Sequence, residues 1–180
     1  MIARLAHVRS WLRRALALSA FLVGASVLRA DAPPGQYVAF DRNATCITDN
    51  FTKLTWSRAP NAVGPGVTFS AAPVVCARLD PPGGPPIWRV PSVNELETLV
   101  DDFPTLQGDP SGNVEQRAID ANAFPGTPTV SYWTSSPSRA NAMKAWTVEF
   151  NLGTSSETPT GEPHAVRCVT DKPPPPSCVQ

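Results

Sequence analysis

The sequence predicts an α+β fold with two short helices, a small antiparallel sheet and long loops. Ser92 and Glu95 have capping-box spacing, and Val93, Leu96, Leu99 and Val100 fall on one face of the helix that follows. In Lys144–Phe150, Trp146, Val148 and Phe150 alternate with Ala145, Thr147 and Glu149, the period of a strand with one strongly apolar face. Residues 103–129 are rich in Pro, Gly, Asp and Asn, which favour turns over regular structure.

Residues 1–30 read as a separate leader. Arg4, Arg9, Arg13 and Arg14 form a basic start, and Ala15–Leu28 is an apolar run interrupted only by Ser19, Gly24 and Ser26. The run is shorter than the roughly 20 residues that span a bilayer, so a secretory signal peptide is expected rather than an anchor. Cleavage after Ala30 is preferred, because a cut after Ala32 would put Pro33 directly behind the scissile bond. The mature chain is then expected to be secreted, periplasmic or on the cell surface, with no membrane partner. With Arg29 the leader removes five arginines, leaving ten basic residues against 15 acidic ones. That net charge of about −5 lacks the basic footprint of a nucleic-acid partner.

The remaining chain suits one domain. Residues 31–45 are a Pro-rich lead-in with a short strand over Gln36–Phe40 and a linker. The domain occupies 46–170, and 171–180 is a Pro-rich tail whose prolines favour a stiff polyproline II spacer. Within the domain, Cys46–Trp56 reads as two extended pieces around a turn at Asp49-Asn50, and Asn61–Gly66 as a loop. Phe69–Leu79 predicts a helix that carries Pro73 in its first turn. Ser92–Asp101 predicts the second helix, and Val114–Ala121 permits a short third within the irregular region. Strands are expected over Val130–Ser136, Lys144–Phe150 and His164–Thr170.

Cys46, Cys76, Cys168 and Cys178 all lie beyond the leader, and an even count in an oxidising compartment predicts two disulfides with three connectivities open. No Cys-x-x-Cys pair occurs, and His164 is the one histidine left after processing, so no zinc site is expected. His164, near Glu162, is read as a hydrogen-bonding residue at a strand end rather than a catalytic base. Asp101, Asp102, Asp109, Glu115 and Asp120 surround the long irregular region, and calcium is the cation such a set would take. Their spacing matches no defined calcium loop, so solvated carboxylates are the plainer reading and no cofactor is expected. Asn43-Ala44-Thr45 and Asn50-Phe51-Thr52 fit the N-glycosylation pattern and are read as coincidental.

Several segments together resemble one known family. They are Thr52-x-Leu54-x-Trp56, Cys76 at the end of the first helix, Trp88–Leu96, Tyr132–Ser135, Ala145–Gly153 and Val166–Val169. In order and spacing they are similar to the Lcl C-terminal domain family, the domain at the end of a bacterial collagen-like adhesin. Val90, Ser92 and Thr134 replace that family's Leu, Thr and Ser, and Lys53 stands where it usually has Gly, so the turn before Leu54 need not use positive φ. The resemblance implies a C-type-lectin-like, formylglycine-generating-enzyme-like architecture. It also implies Cys76 paired with Cys168, leaving Cys46 for Cys178.

On this reading the chain is an exported, non-catalytic binding or adhesion module for a glycan or an extracellular protein. The alternatives are an enzyme of the formylglycine-generating type, or an inactive relative of one, and a structural envelope protein. Ligand contacts, if borne by the family motifs, would fall to Trp88, Arg89, Trp133 and Arg167. The plainer expectation puts the tryptophans in the core and has the arginines bracing the fold.

Overall fold

Asp49 folds the chain back on itself near the start of the domain. Its buried carboxylate accepts the Phe51 amide (2.8 Å) and the Thr52 hydroxyl (2.9 Å), a local closure that favours a turn over continued strand. In the computed structural model, which describes residues 32–39, 44–80, 84, 87–108, 114–173 and 178, this turn joins β2 (Cys46–Asp49) to β3 (Thr55–Ser57). β1 (Tyr37–Ala39) pairs with β2, and β11 (Val169–Thr170) pairs with β3, completing a four-stranded antiparallel sheet. Lys53 closes the turn at φ 63°, so the turn keeps a positive φ with lysine in the place of glycine. Two backbone bonds, Lys53 N to Asp49 O and Asp49 N to Leu54 O, both 2.8 Å, hold the return and override the preference of an L residue for negative φ.

The second sheet has five strands in the order β4 (Ala62–Val67), β10 (His164–Val166), β7 (Ser131–Pro137), β8 (Lys144–Glu149) and β9 (Thr154–Pro159). β10 and β7 run parallel and the other pairs antiparallel. Both faces are covered. On one, Trp133, Ala145 and Val166 meet Ala72 and Cys76 of α1 (Ala72–Ala77), which follows a 3-10 turn at Phe69–Ala71 and carries Pro73 in its first turn. On the other, Tyr132, Val148 and Phe150 meet Leu96 of α2 (Val93–Glu97) and Leu99 just beyond it. Sheets covered on both sides lose the clean in-out alternation, which is why Ala145 and Thr147 are buried along with Val148.

α2 starts as expected. The Ser92 hydroxyl accepts the Glu95 amide (3.3 Å) while the Glu95 carboxylate accepts the Ser92 amide (2.8 Å). Both helices are shorter than the apolar runs that predicted them, α1 ending at Ala77 and α2 at Glu97. Gly153 ends the β8–β9 turn at φ 72°, and a Cβ there would lie 2.5 Å from the Val100 side chain. Two features therefore demand glycine, the backbone angle and the packing of the residue after α2.

Four expectations need correction. Asn61–Gly66 is not a loop but most of β4, whose Gly-Pro-Gly centre is tolerated because the strand is an edge of its sheet. The short helix over Val114–Ala121 is a strand, β6 (Val114–Arg117), paired with β5 (Thr105–Gly108) in a separate two-stranded ribbon inside the region read as irregular. β9 had no sequence signal, because an outer strand of Ser and Thr needs no apolar face. The strand expected over His164–Thr170 is split: β10 belongs to the second sheet, β11 to the first, and Arg167 and Cys168 make the crossing.

Disulfides reinforce that crossing. Cys76–Cys168 ties α1 to it, and Cys46–Cys178 ties the tail to β2, the pairing the resemblance implied. Among the described residues no helix is long and apolar enough to cross a membrane. The leader, Asp31, Phe40, Asn43, most of the Pro/Gly run at 81–86, Asp109 and the tail prolines at 174–177 lie outside the described residues.

Candidate functional site

The four residues singled out from the sequence do not share a surface. Trp133 is 0% exposed, its indole Nε1 donates to Val67 O (2.7 Å), and Phe69 and His164 pack edge-on against it at 5.4 and 4.7 Å. It is a core residue, so the exposed-platform alternative does not hold for it. Arg167 is also 0% exposed and sits where the chain passes between the sheets. Its Nη1 donates to Ser57 O (2.6 Å) and Arg58 O (2.7 Å), its Nη2 donates to Thr127 Oγ1 (2.6 Å), and the guanidinium lies 4.8 Å from the centre of the Phe124 ring. Burial lowers its pKa to about 10, still high enough to keep it charged at neutral pH. Tyr132, also beside it, has its phenol pushed up to about 12 by burial, against the opposing pull of the guanidinium.

Arg89 reaches the surface but is engaged. Its Nη1 and Nη2 donate to the two Glu95 oxygens at 2.8 and 2.7 Å, so one carboxylate both caps α2 and clamps the arginine. That bidentate bond, helped by the Ser92 amide and opposed by burial, lowers the Glu95 carboxyl from 4.5 to about 2. Because the folded value lies below the unfolded one, the stabilisation is present above about pH 4.5 and is lost as pH falls towards 2. Glu95→Gln is expected to cost about 1 kcal/mol at neutral pH after solvent screening, with the difference from the parent shrinking over that acid window. Melting temperature against pH for both proteins checks this; a gap that stays constant down to pH 2 would refute it.

Trp88 lines a cleft. The backbone amides of Ile87 and Trp88 both donate to Asp80 Oδ1, at 2.8 and 2.9 Å, which turns the chain after α1 and seats the tryptophan. Its residue is 5% exposed, and its Nε1 is buried without a hydrogen-bond partner. The cleft it lines holds about 550 Å3, between the end of α1 and the β3–β4 connection. Leu79, Pro60 and Pro125 supply apolar walls, and Arg58 and Arg78 bring two cations. Arg58 is held by Ala123 O and Asn122 O, both at 3.1 Å, whereas Arg78 is an exposed residue at the C-terminal cap of α1. Asn61, also in the wall, takes the Cys168 amide (2.9 Å) and the Ser57 hydroxyl on its side-chain oxygen.

Arg58, Arg78 and Asn61 carried no sequence signal. They converge only because the Cys76–Cys168 bridge brings the end of α1 to the crossing segment, which pairs with β3. Of the carboxylates considered for calcium, Asp101, Asp102 and Asp120 line one smaller cleft, while Glu115 sits apart, accepting the Thr129 hydroxyl at 3.1 Å. Among the described residues no group of three or more His, Cys, Asp or Glu side chains is placed to hold a metal. His164 packs on Trp133, and burial lowers its pKa despite Glu162 nearby.

No curated protein matches the chain. The family model of the Lcl C-terminal domain matches residues 45–170, well over half of the sequence and all but one of the strands and both helices described above. The chain therefore belongs to the Lcl C-terminal domain family.

Proposed function

We propose that the chain is an exported, non-catalytic binding module of C-type-lectin-like architecture that acts in adhesion, and that the cleft beside Trp88 takes a glycan. The observation that carries this reading is the cleft itself. It combines an indole, apolar walls and convergent polar groups at about 550 Å3, the size and lining of small-ligand sites. Membership of a domain family named for an adhesin supports the adhesive role. The leader supports export, and the pairing of all four cysteines in disulfides weighs against a cysteine-dependent enzyme.

The test is a glycan-array screen of the oxidised domain, with and without calcium, beside Arg78→Ala and Trp88→Ala. Arg78 is exposed, so its variant is expected to stay folded and to bind about tenfold more weakly. Trp88→Ala tests the aromatic wall, with its melting curve as the control for folding. If the parent binds no glycan, or if both folded variants bind as the parent does, the glycan reading fails and a protein partner or a structural envelope role takes its place.

A further inference from the structure

The smaller cleft, of about 390 Å3, lies where the lead-in at residues 32–37 passes the loop after α2, and Tyr37, Asp101, Asp102, Phe103 and Asp120 line it. It shares none of its described lining with the cleft beside Trp88. Its polarity is acidic: burial, and then Asp49, Asp120 and Asp101 in that order, push the Tyr37 phenol far above its ordinary range. The Asp120 carboxylate is pre-set, with Oδ1 accepting the Asn122 and Ala123 amides at 2.8 and 2.9 Å and Oδ2 accepting the Ala32 amide at 3.3 Å.

The β5–β6 ribbon rises from the rim of this cleft, two residues beyond Phe103. Its register pairs Leu106 with Gln116 and Gly108 with Val114, so Leu106 and Val114 lie diagonally on one face. Leu106 and Val114 on that face are 74 and 65% exposed, and Phe103, two residues before the ribbon, is 73% exposed. A two-stranded ribbon is marginal alone, and among the described residues no third strand joins it. Grouped exposed apolar side chains of this kind mark interaction surfaces. The charges at the ribbon's base are Asp101 and Asp102, while Glu115 and Arg117 alternate to the other face, where Arg117 lies 3.8 Å from Glu115 and donates to Thr127 O (2.9 Å).

These signs select the occupant. An isologous contact with a second copy would set carboxylates against carboxylates, and an anionic lipid surface would be repelled. We propose that the ribbon and the cleft at its base dock an extended basic segment of another protein. Apolar residues of the segment lie across Phe103, Leu106 and Val114, and a lysine or arginine enters between Tyr37 and the carboxylates of Asp101, Asp102 and Asp120. The apolar contacts give affinity and the acidic cleft gives selectivity.

Calorimetric titration with a short synthetic peptide alternating lysine and leucine, and with its glutamate–leucine counterpart, tests this. The lysine peptide is expected to bind, more weakly as salt rises from about 50 to about 300 mM, and the glutamate peptide not to bind. Asp102→Lys and Leu106→Ser, both at exposed positions and expected to melt as the parent does, should each weaken binding by about tenfold. The proposal is overturned if the parent ignores the lysine peptide, if both peptides bind alike, or if either variant binds as tightly as the parent. Sedimentation showing a dimer that Leu106→Ser dissolves would overturn it in favour of self-association.

Discussion

Arg167→Met is expected to destabilise the domain by about 3–5 kcal/mol, the largest effect of any single substitution in the crossing segment. Methionine restores much of the volume but none of the donors. Ser57 O, Arg58 O and Thr127 Oγ1 would lose the bonds of 2.6, 2.7 and 2.6 Å that Arg167 gives them, and each acceptor left buried without a donor costs about 1–3 kcal/mol. Removing the cation does relieve a desolvation cost, visible in the lowered arginine pKa. The three hydrogen bonds and the Phe124 face outweigh it, because no described carboxylate must be desolvated with the guanidinium. Arg167→Lys should fail nearly as badly, since one ammonium cannot span the β3–β4 connection and the loop at Thr127 as the planar fork does. Urea denaturation of both variants gives the measurement. A midpoint within error of the parent for Arg167→Met would show that the buried guanidinium braces nothing.

Removing the Cys76–Cys168 bridge, as the double alanine variant, is expected to cost about 4 kcal/mol while Cys46–Cys178 remains, because in the chain-entropy account it only divides a ring of 132 residues that the other bridge already closes. For a domain of this length that lowers the melting temperature by roughly 10–20 °C. Cys46–Cys178 spans 132 residues, yet its own contribution is smaller than that separation implies. With the first bridge closed, the second closes only the 30 residues from Cys46 to Cys76 and the ten from Cys168 to Cys178. Its loss is therefore expected to cost about 4 kcal/mol while the first remains. Thermal unfolding of the two double variants decides this: the two losses are expected to agree within about 1 kcal/mol, and a much larger loss for either one would contradict the nested-loop account.

What was legible in the sequence was what is decided locally or by a sustained pattern. The capping box at Ser92 and Glu95 depends on four consecutive residues, and β8 announces itself by alternation across Lys144–Phe150. Much of what escaped depends on distant partners. β4 looks like a loop because its Gly64-Pro65-Gly66 centre has no strand propensity, and only pairing with β10 about 100 residues later makes it a strand. β5 and β6 pair locally with each other, and they escaped because the turn-favouring residues around them mask the strand pattern. At the candidate site, Trp88 was singled out from its motif, whereas Arg58 and Arg78 are unremarkable in sequence and meet through a disulfide and a sheet crossing. Trp133 lies in an equally strong motif but faces inward, since both faces of the second sheet are covered, and Arg167 is buried in the crossing between the sheets.

The two bridges also set how the protein responds to a broken backbone. Every loop between Cys76 and Cys168, including the tip of the β5–β6 ribbon and the Pro/Gly run after α1, lies inside a covalent ring. A protease that nicks either loop once opens the ring without releasing a piece: the fragments stay joined through sulfur, and the sheets they share keep them in register. Such damage would leave the mass nearly unchanged and show itself only on reduction. A chain closed in this way can be cut once between Cys76 and Cys168 and remain one molecule.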